Sequence, residues 1–195
     1  MISAFNDKRI QIHHYTSQKG IIRNIENAMM KATGRYIFLA DQDDIWVEGK
    51  LQTMLACFKH ETHILMSDAV VVDSELNIIQ ETLSNWRPYH SGFVRNIVRS
   101  RYIGCCMALD ADILHSILPF PKYIKAHDVW IGLYGELTKS IKFVDKPLIL
   151  YRRHDGNVST ASAKSQNSLY TMITYRLYFL YATIKRYVST CMKEA

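Results

Sequence analysis

At 195 residues and 48% hydrophobic composition the chain can bury one substantial core, and its length points to a single domain. Lysine and arginine number 24 against 18 acids, and the net charge of +6 favours anionic partners; with no nucleic-acid motif and no basic-aromatic strand, nucleic acid is not expected among them. Cys57, Cys105, Cys106 and Cys191 have no metal-ligand spacing and read as reduced thiols, while the lack of a secretory leader or a membrane-length apolar run leads us to expect a cytoplasmic protein.

In chain order, Arg9-Ile10-Gln11-Ile12 reads as a strand. Ile21, Ile25, Met29 and Ala32 recur on one face of a helix that Gly34 stops. Tyr36 to Ala40 has the length and composition of a buried parallel strand. Trp46 to Phe58 repeats the helical pattern through Leu51, Met54 and Leu55. Two strand-like runs follow, Ile64-Leu65-Met66 and Ala69-Val70-Val71-Val72, and a turn over Asp73 to Asn77 leads to Ile78-Ile79. Glu81 to Gly92, with Pro88, reads as a loop and Phe93 to Arg99 as a short basic helix. Tyr102 to Leu109 reads as a strand, and Asp110 to Leu118 as a helix stopped by Pro119 and Pro121. This alternation predicts an α/β fold.

Asp41-Gln42-Asp43-Asp44 follows the apolar run directly, where open α/β sheets bind ligands. Three acids in four residues repel one another, and hard oxygen donors suit Mg²⁺ or Mn²⁺. The other reading is a helix start, with Asp44 as N-cap and Asp41 and Asp43 solvated. Asp110-Ala111-Asp112 repeats the spacing at a helix start, where capping explains it. Ser67-Asp68 also ends an apolar run and suits either a cleft lining or a turn.

The segment from Gly20 to Leu51 resembles the family 2 glycosyltransferases, inverting enzymes of GT-A fold that use nucleotide-sugar donors. The likeness is carried by Lys19-Gly20 followed by Asn24, the helix ending Ala32-Thr33-Gly34, the strand Tyr36-Ile37-Phe38-Leu39, the signature Asp41-Gln42-Asp43-Asp44-Ile45-Trp46 and then Lys50-Leu51. His127-Asp128-Val129-Trp130, and Pro147 to His154 with Asn157, look like later motifs of the same family, notably of its rhamnosyltransferase-like branch. Three motifs in order are more specific than one.

The resemblance implies a GT-A-like (Rossmann-like) mixed sheet flanked by helices, in a catalytic part over residues 1–160, while residues 161–195 lie outside it and read as an amphipathic helical tail. It implies transfer of a sugar, rhamnose among the candidates, from a nucleoside diphosphate to a hydroxyl of a cell-surface glycan or lipid-linked acceptor. Mn²⁺ or Mg²⁺ would stabilise the leaving diphosphate. Asp43 would be the chief metal ligand, Asp41 would face the ribose or share the ion, and His154 would complete the metal shell. Asp128 would be the base that deprotonates the acceptor, an N-cap being its other reading. Gly20, Asn24, Arg152 and Arg153 would bind substrate, and Trp130 would offer a ring face to a sugar or else belong to the core. The sequence has Arg153 where Tyr-Arg-Gln-His is commoner, a change that bears on donor or acceptor preference.

Such enzymes usually open with a strand and a Pro-Thr-Tyr-Asn-like segment, then a second strand with an acidic motif, and these hold the nucleobase. The chain is expected to lack those first strand-helix units, and so either to need a complementing N-terminal fragment or to be a non-catalytic remnant. A haloacid-dehalogenase-like phosphatase also places Asp-x-Asp after a strand. There, however, Thr or Val follows and the strand is the first, whereas Ile45 follows here.

Residues 168–195 place Leu169, Ile173, Leu177, Leu180 and Ile184 near helical spacing, with Arg176, Lys185, Arg186 and several tyrosines between them. Such a helix suits the inner membrane surface, or packing against the domain.

Overall fold

The computed structural model describes residues 5–17, 20–153 and 168–194. Its helices are α1 (Ile21–Lys31), α2 (Lys50–Cys57), α3 (Leu83–Trp86), α4 (Phe93–Val98), α5 (Leu114–Ile117), α6 (His127–Leu137) and α7 (Leu169–Glu194). Its strands are β1 (Tyr36–Phe38), β2 (Ile45–Trp46), β3 (Ile64–Val72), β4 (Ile78–Gln80), β5 (Met107–Asp110) and β6 (Ile141–Arg152). They form one mixed sheet in the order β1-β5-β3-β6-β2, with β4 paired to β3. The expected α/β architecture, a mixed sheet flanked by helices and followed by a C-terminal helix, is the one observed.

The long central strands are parallel: β6 runs beside β3 from Ile64↔Ile141 to Val72↔Arg152. Antiparallel β5 covers the first residues of β3, and β4 its last. What reads in the sequence as two runs is one continuous strand with an irregularity at Ser67/Asp68. Ile64 and Met66 face the larger core before it, Ala69 and Val71 after it, so the alternation on β3 shifts by one where β6 carries the extra residues Asp145 and Lys146. The backbone group freed by this shift is satisfied locally. Buried Asp68 accepts the Ala69 N–H at 2.8 Å, and it also takes the Ser84 N–H and hydroxyl at the start of α3.

The larger core lies on one face of the sheet around α6, whose Trp130, Ile131, Leu133 and Tyr134 are buried. Gly132 lets α6 approach closely, since a Cβ there would lie 2.5 Å from the Tyr102 ring. Leu65 and Ala108 point to the opposite face and meet Met54 of α2, Val144 and Leu148 in a smaller core.

Several expected elements are corrected. Tyr36 to Phe38 is a half-buried edge strand, antiparallel to β5, and not a buried parallel one. No strand forms at Arg9 to Ile12, where a turn held by the Asp7–Arg9 pair stands instead. The helix expected from Trp46 starts at Lys50, because Ile45 and Trp46 pair with β6. The loop expected over 81–92 contains α3, capped by the Thr82 side chain. Tyr102 to Leu109 is a strand only from Met107, after a 3-10 turn over Gly104–Cys106. At Asp110 the capping reading holds, its carboxylate accepting the Asp112 N–H at 3.1 Å.

Helix α7 packs against α4, α5 and α6. Phe179, Ala182 and Thr183 are buried there, and Arg186 donates to the Ser116, Leu118 and Pro119 carbonyls. Arg23 of α1 holds the next carbonyls, those of Phe120, Pro121 and Lys122. Two arginines thus fix the loop that feeds α6 and its first residues, His127 and Asp128. The far side of α7 leaves Leu169, Ile173, Leu177, Ile184 and Val188 exposed.

Candidate active site

β1 and β2 lie at opposite edges of the sheet yet are consecutive in the chain, so residues 39–44 must cross from one edge to the other. The Leu39 N–H still pairs with the Met107 carbonyl at 3.1 Å, and the strap then carries Asp41, Gln42, Asp43 and Asp44. At its far end Asp44 Oδ1 accepts the Arg152 N–H at 2.9 Å, where β6 ends. The acids therefore sit where parallel β3 and β6 finish, the ligand end of an α/β sheet.

Asp41 and Asp44 come together with the Cys105 thiol, their ligand atoms all within 4.8 Å of one another. Partial burial, then Asp44, and further Asp43 and Asp128 push the Asp41 carboxyl above its usual range, while His127 opposes them. Asp44 is raised chiefly by burial, against the Cys105 thiol, the Arg152 N–H and Lys50. Its Oδ2 is buried and meets no partner at hydrogen-bond geometry. The N-cap reading of Asp44 does not hold, because α2 begins at Lys50 behind Gly49.

Buried Cys105 hydrogen-bonds with Cys106 and is raised well above the usual thiol range by that contact, by burial and by Asp44. A protonated thiol is a weak donor and no thiolate ligand, so the ligating atoms left in the cluster are carboxylate oxygens. Such a set fits Mg²⁺ or Mn²⁺ better than a thiolate-seeking ion, and the orphaned Asp44 Oδ2 is an acceptor that a cation would satisfy.

Asp128 stands in the first turn of α6, half-buried, with Oδ1 accepting the Val129 N–H at 2.8 Å. Ala126 is the N-cap, so the cap reading of Asp128 fails as well. Burial raises its pKa, and His127, the Val129 N–H and Arg87 partly offset that. His127 packs on the turn before β5: a Cβ on Gly104 would lie 2.5 Å from its Nε2. That contact sets the start of α6 beside Cys105 and the acid strap.

Lys50 is 1% exposed, donates to the Cys105 carbonyl at 3.1 Å and lies 4.4 Å from the centre of the Trp46 ring. Burial lowers its pKa, with Cys106, Cys105 and Asp44 opposing. Sequence reasoning gave no role to Lys50, Arg87 or His127. For His127 the signal was adjacency to Asp128, while nothing local marks Arg87, which meets Asp128 only through the fold.

The remaining expected residues divide. Arg152 joins the cluster through its backbone, and the Arg153 guanidinium stacks on Trp86 at 5.4 Å. Gly20 and Asn24 meet at the start of α1, where the Asn24 N–H donates to the Gly20 carbonyl at 3.1 Å, and Asn24 is otherwise exposed. Trp130 is corrected: wholly buried, its indole N–H on the Ile117 carbonyl at 3.0 Å, it presents no ring face to a sugar. His154 and Asn157 lie outside the described residues.

Residues 1–118 match the family model Glycosyl transferase family 2. The chain belongs to that family. The match takes in Gly20, Asn24, the acid strap and Cys105, and the phosphatase alternative falls with it. No curated protein matches the chain. In this family 2 glycosyltransferase Asp128, Arg152 and Arg153 lie beyond the matched residues, and the links of Asp128 and Arg152 to the strap are structural. Among the described residues of the glycosyltransferase no helix is long and apolar enough to cross a membrane.

Proposed function

We propose that the chain transfers a sugar, rhamnose among the candidates, from a nucleoside-diphosphate donor to a hydroxyl of a cell-surface glycan or lipid-linked acceptor, with inversion. The observation that carries this reading is the electrostatic meeting of the acid strap with Asp128: two elements distant in sequence, both raised in pKa, at one end of the sheet. Raised carboxylates that converge from separate elements are characteristic of acid-base and metal chemistry.

In this reading Asp41 and Asp43, with His154, would hold Mn²⁺ or Mg²⁺, and Asp44, whose Oδ1 ties the strap to β6, would offer its unpartnered Oδ2 to the same ion. When bound, the ion neutralises charge that develops on the departing diphosphate. Arg152 and Arg153 contribute guanidinium forks suited to phosphate oxygens, and Gly20 and Asn24 border the donor. Asp128 accepts the proton of the attacking hydroxyl, its raised pKa making it a better base than an ordinary carboxylate. Residues 1–160 act as the catalytic part and 161–195 as a tail. The +6 charge and the exposed apolar stripe of α7 support attachment at the inner face of the cytoplasmic membrane.

A second reading has its own support. Apolar β1 is half-buried and pairs only with β5 among the described residues, so a complementing segment is free to add along its outer edge. Activity would then depend on that segment. The test for both is nucleoside-diphosphate release from a panel of sugar donors with Mn²⁺, by the chain alone and with a candidate complementing strand. Release that is insensitive to Asp128→Asn contradicts the assignment of the base.

A further inference from the structure

Between α4, α6 and α7 lies a cavity of about 340 Å³, within the size range of small-ligand sites. Part of its wall is apolar, with Ile97 and Val98 from the α4 side, Val129 and Leu133 from α6, and Met172 and Phe179 from α7, and Asn96, Ser100 and Thr171 add neutral polar groups. Arg99, Lys125 and Arg176 also line it, and no aspartate or glutamate does. None of these three cations forms an ion pair among the described residues. Lys125 lies over the Tyr175 ring at 5.9 Å, in the same wall.

The cavity adjoins the proposed base. Val129 follows Asp128 directly, and Tyr175 is pushed up in pKa by burial and then by the Asp128 charge. On the α4 side the surface is apolar too, with Val94 and Val98 exposed. A cavity that is greasy within, triply cationic and free of carboxylates is complementary to a molecule with an anionic head and a hydrocarbon tail. A free sugar or a neutral glycan would leave the cations unanswered, and a bare phosphate would leave the apolar walls wet.

We propose that the cavity between α4, α6 and α7 binds a lipid phosphate, with Arg99, Lys125 and Arg176 on the phosphate and Val129, Leu133, Met172 and Phe179 along the first carbons of the chain. It would thereby anchor a phosphate-bearing lipid acceptor next to Asp128. This rests on reading Asp128 as the base, and it names the class of acceptor.

Calorimetry of the full chain with dodecyl phosphate below its micellar concentration tests the proposal, with dodecyl maltoside, inorganic phosphate and laurate alongside. Dodecyl phosphate is expected to bind, and the other three to bind about tenfold or more weaker. Lys125→Glu and Arg176→Glu are each expected to weaken dodecyl phosphate about tenfold or more, while Arg95→Glu, on α4 outside the cavity, leaves it unchanged. Leu133→Trp, which fills the cavity, is a second route to the same loss, with circular dichroism confirming that each variant is folded. Equal binding of the maltoside, of inorganic phosphate or of laurate overturns the proposal, as does unchanged binding in both charge reversals. Asp128→Asn should bind dodecyl phosphate within about twofold of the parent. A failed cavity is thus read separately from a failed base, because transfer that survives Asp128→Asn leaves the lipid result untouched.

Discussion

Asp44 Oδ1 accepts the backbone N–H of Arg152 at 2.9 Å across 108 positions of sequence. This bond joins the strap that leaves one edge of the sheet to the end of β6, and with it the acid cluster to the arginine pair. Asp44→Ala deletes a charge-assisted acceptor and leaves the Arg152 N–H without it, a loss of about 1.5–3 kcal/mol. Asp44→Asn keeps a carbonyl acceptor and removes a charge that burial disfavours, so its midpoint should lie well above that of Asp44→Ala. Urea midpoints of the two variants check this; equal midpoints would show that the bond contributes nothing.

Asp128 links function to stability with opposite signs. Its native pKa is raised above the unfolded value, so between those two values the native state binds more protons than the unfolded state does. Stability therefore falls as pH climbs through that window and stays lower above it. Asp128→Asn removes the buried charge and should melt higher than the parent at pH 7, with the difference closing below the ordinary carboxylate range. The same substitution should abolish transfer while donor affinity changes little. In the parent, the rate should rise with pH through a pKa above that range. A variant less stable than the parent at pH 7 contradicts the stated sign.

Trp130 supports the core and leaves the sugar alone. Trp130→Phe loses the hydrogen bond to the Ile117 carbonyl and part of the ring volume, costing about 2–3 kcal/mol. Steady-state KM for donor and acceptor should stay within about twofold, measured on folded protein well below the melting temperature. A selective rise in acceptor KM would return the indole to the binding site.

The two sides of α7 should separate experimentally. Phe179→Ala, on the packed side, should destabilise by about 3–5 kcal/mol. Ile173→Ser with Leu177→Ser, on the exposed side, should leave the urea midpoint unchanged but lower co-sedimentation with anionic vesicles. Binding of the parent should weaken as salt rises. Equal co-sedimentation of parent and double variant would contradict membrane attachment through this face of the helix.

Much of this fold is legible in the sequence because its apolar periods are strong. The face of α1 and the capping by Asp110 follow from spacing and end chemistry alone. What misled the reading of β1 is that a three-residue apolar strand looks alike at an edge or in a centre; only pairing distinguishes them. At Ser67-Asp68 two polar residues inside an apolar run resemble a break, yet the carboxylate satisfies the freed backbone and the strand continues. Trp46 reads as the first residue of a helix because its strand partner, β6, lies about a hundred residues away. The acid strap was recognisable as a site because its residues are contiguous. Its neighbours Lys50, Cys105 and Arg87 are assembled by tertiary contacts that carry no local signature, and His127 is marked only by its adjacency to Asp128. Trp130 shows the converse: an aromatic beside a catalytic candidate is still most economically buried when its N–H finds a carbonyl.

Nuclear magnetic resonance of the ¹⁵N-labelled chain titrated with Mn²⁺, with and without a nucleoside diphosphate, tests most directly whether the strap is a metal-diphosphate site. The amides of Asp41, Asp43, Asp44 and Arg152 should broaden first, the diphosphate should sharpen that selectivity, and Asp41→Asn with Asp43→Asn should remove it. Broadening that spreads evenly over the acidic surface, or that survives the double substitution unchanged, would contradict the assignment of the metal to these carboxylates.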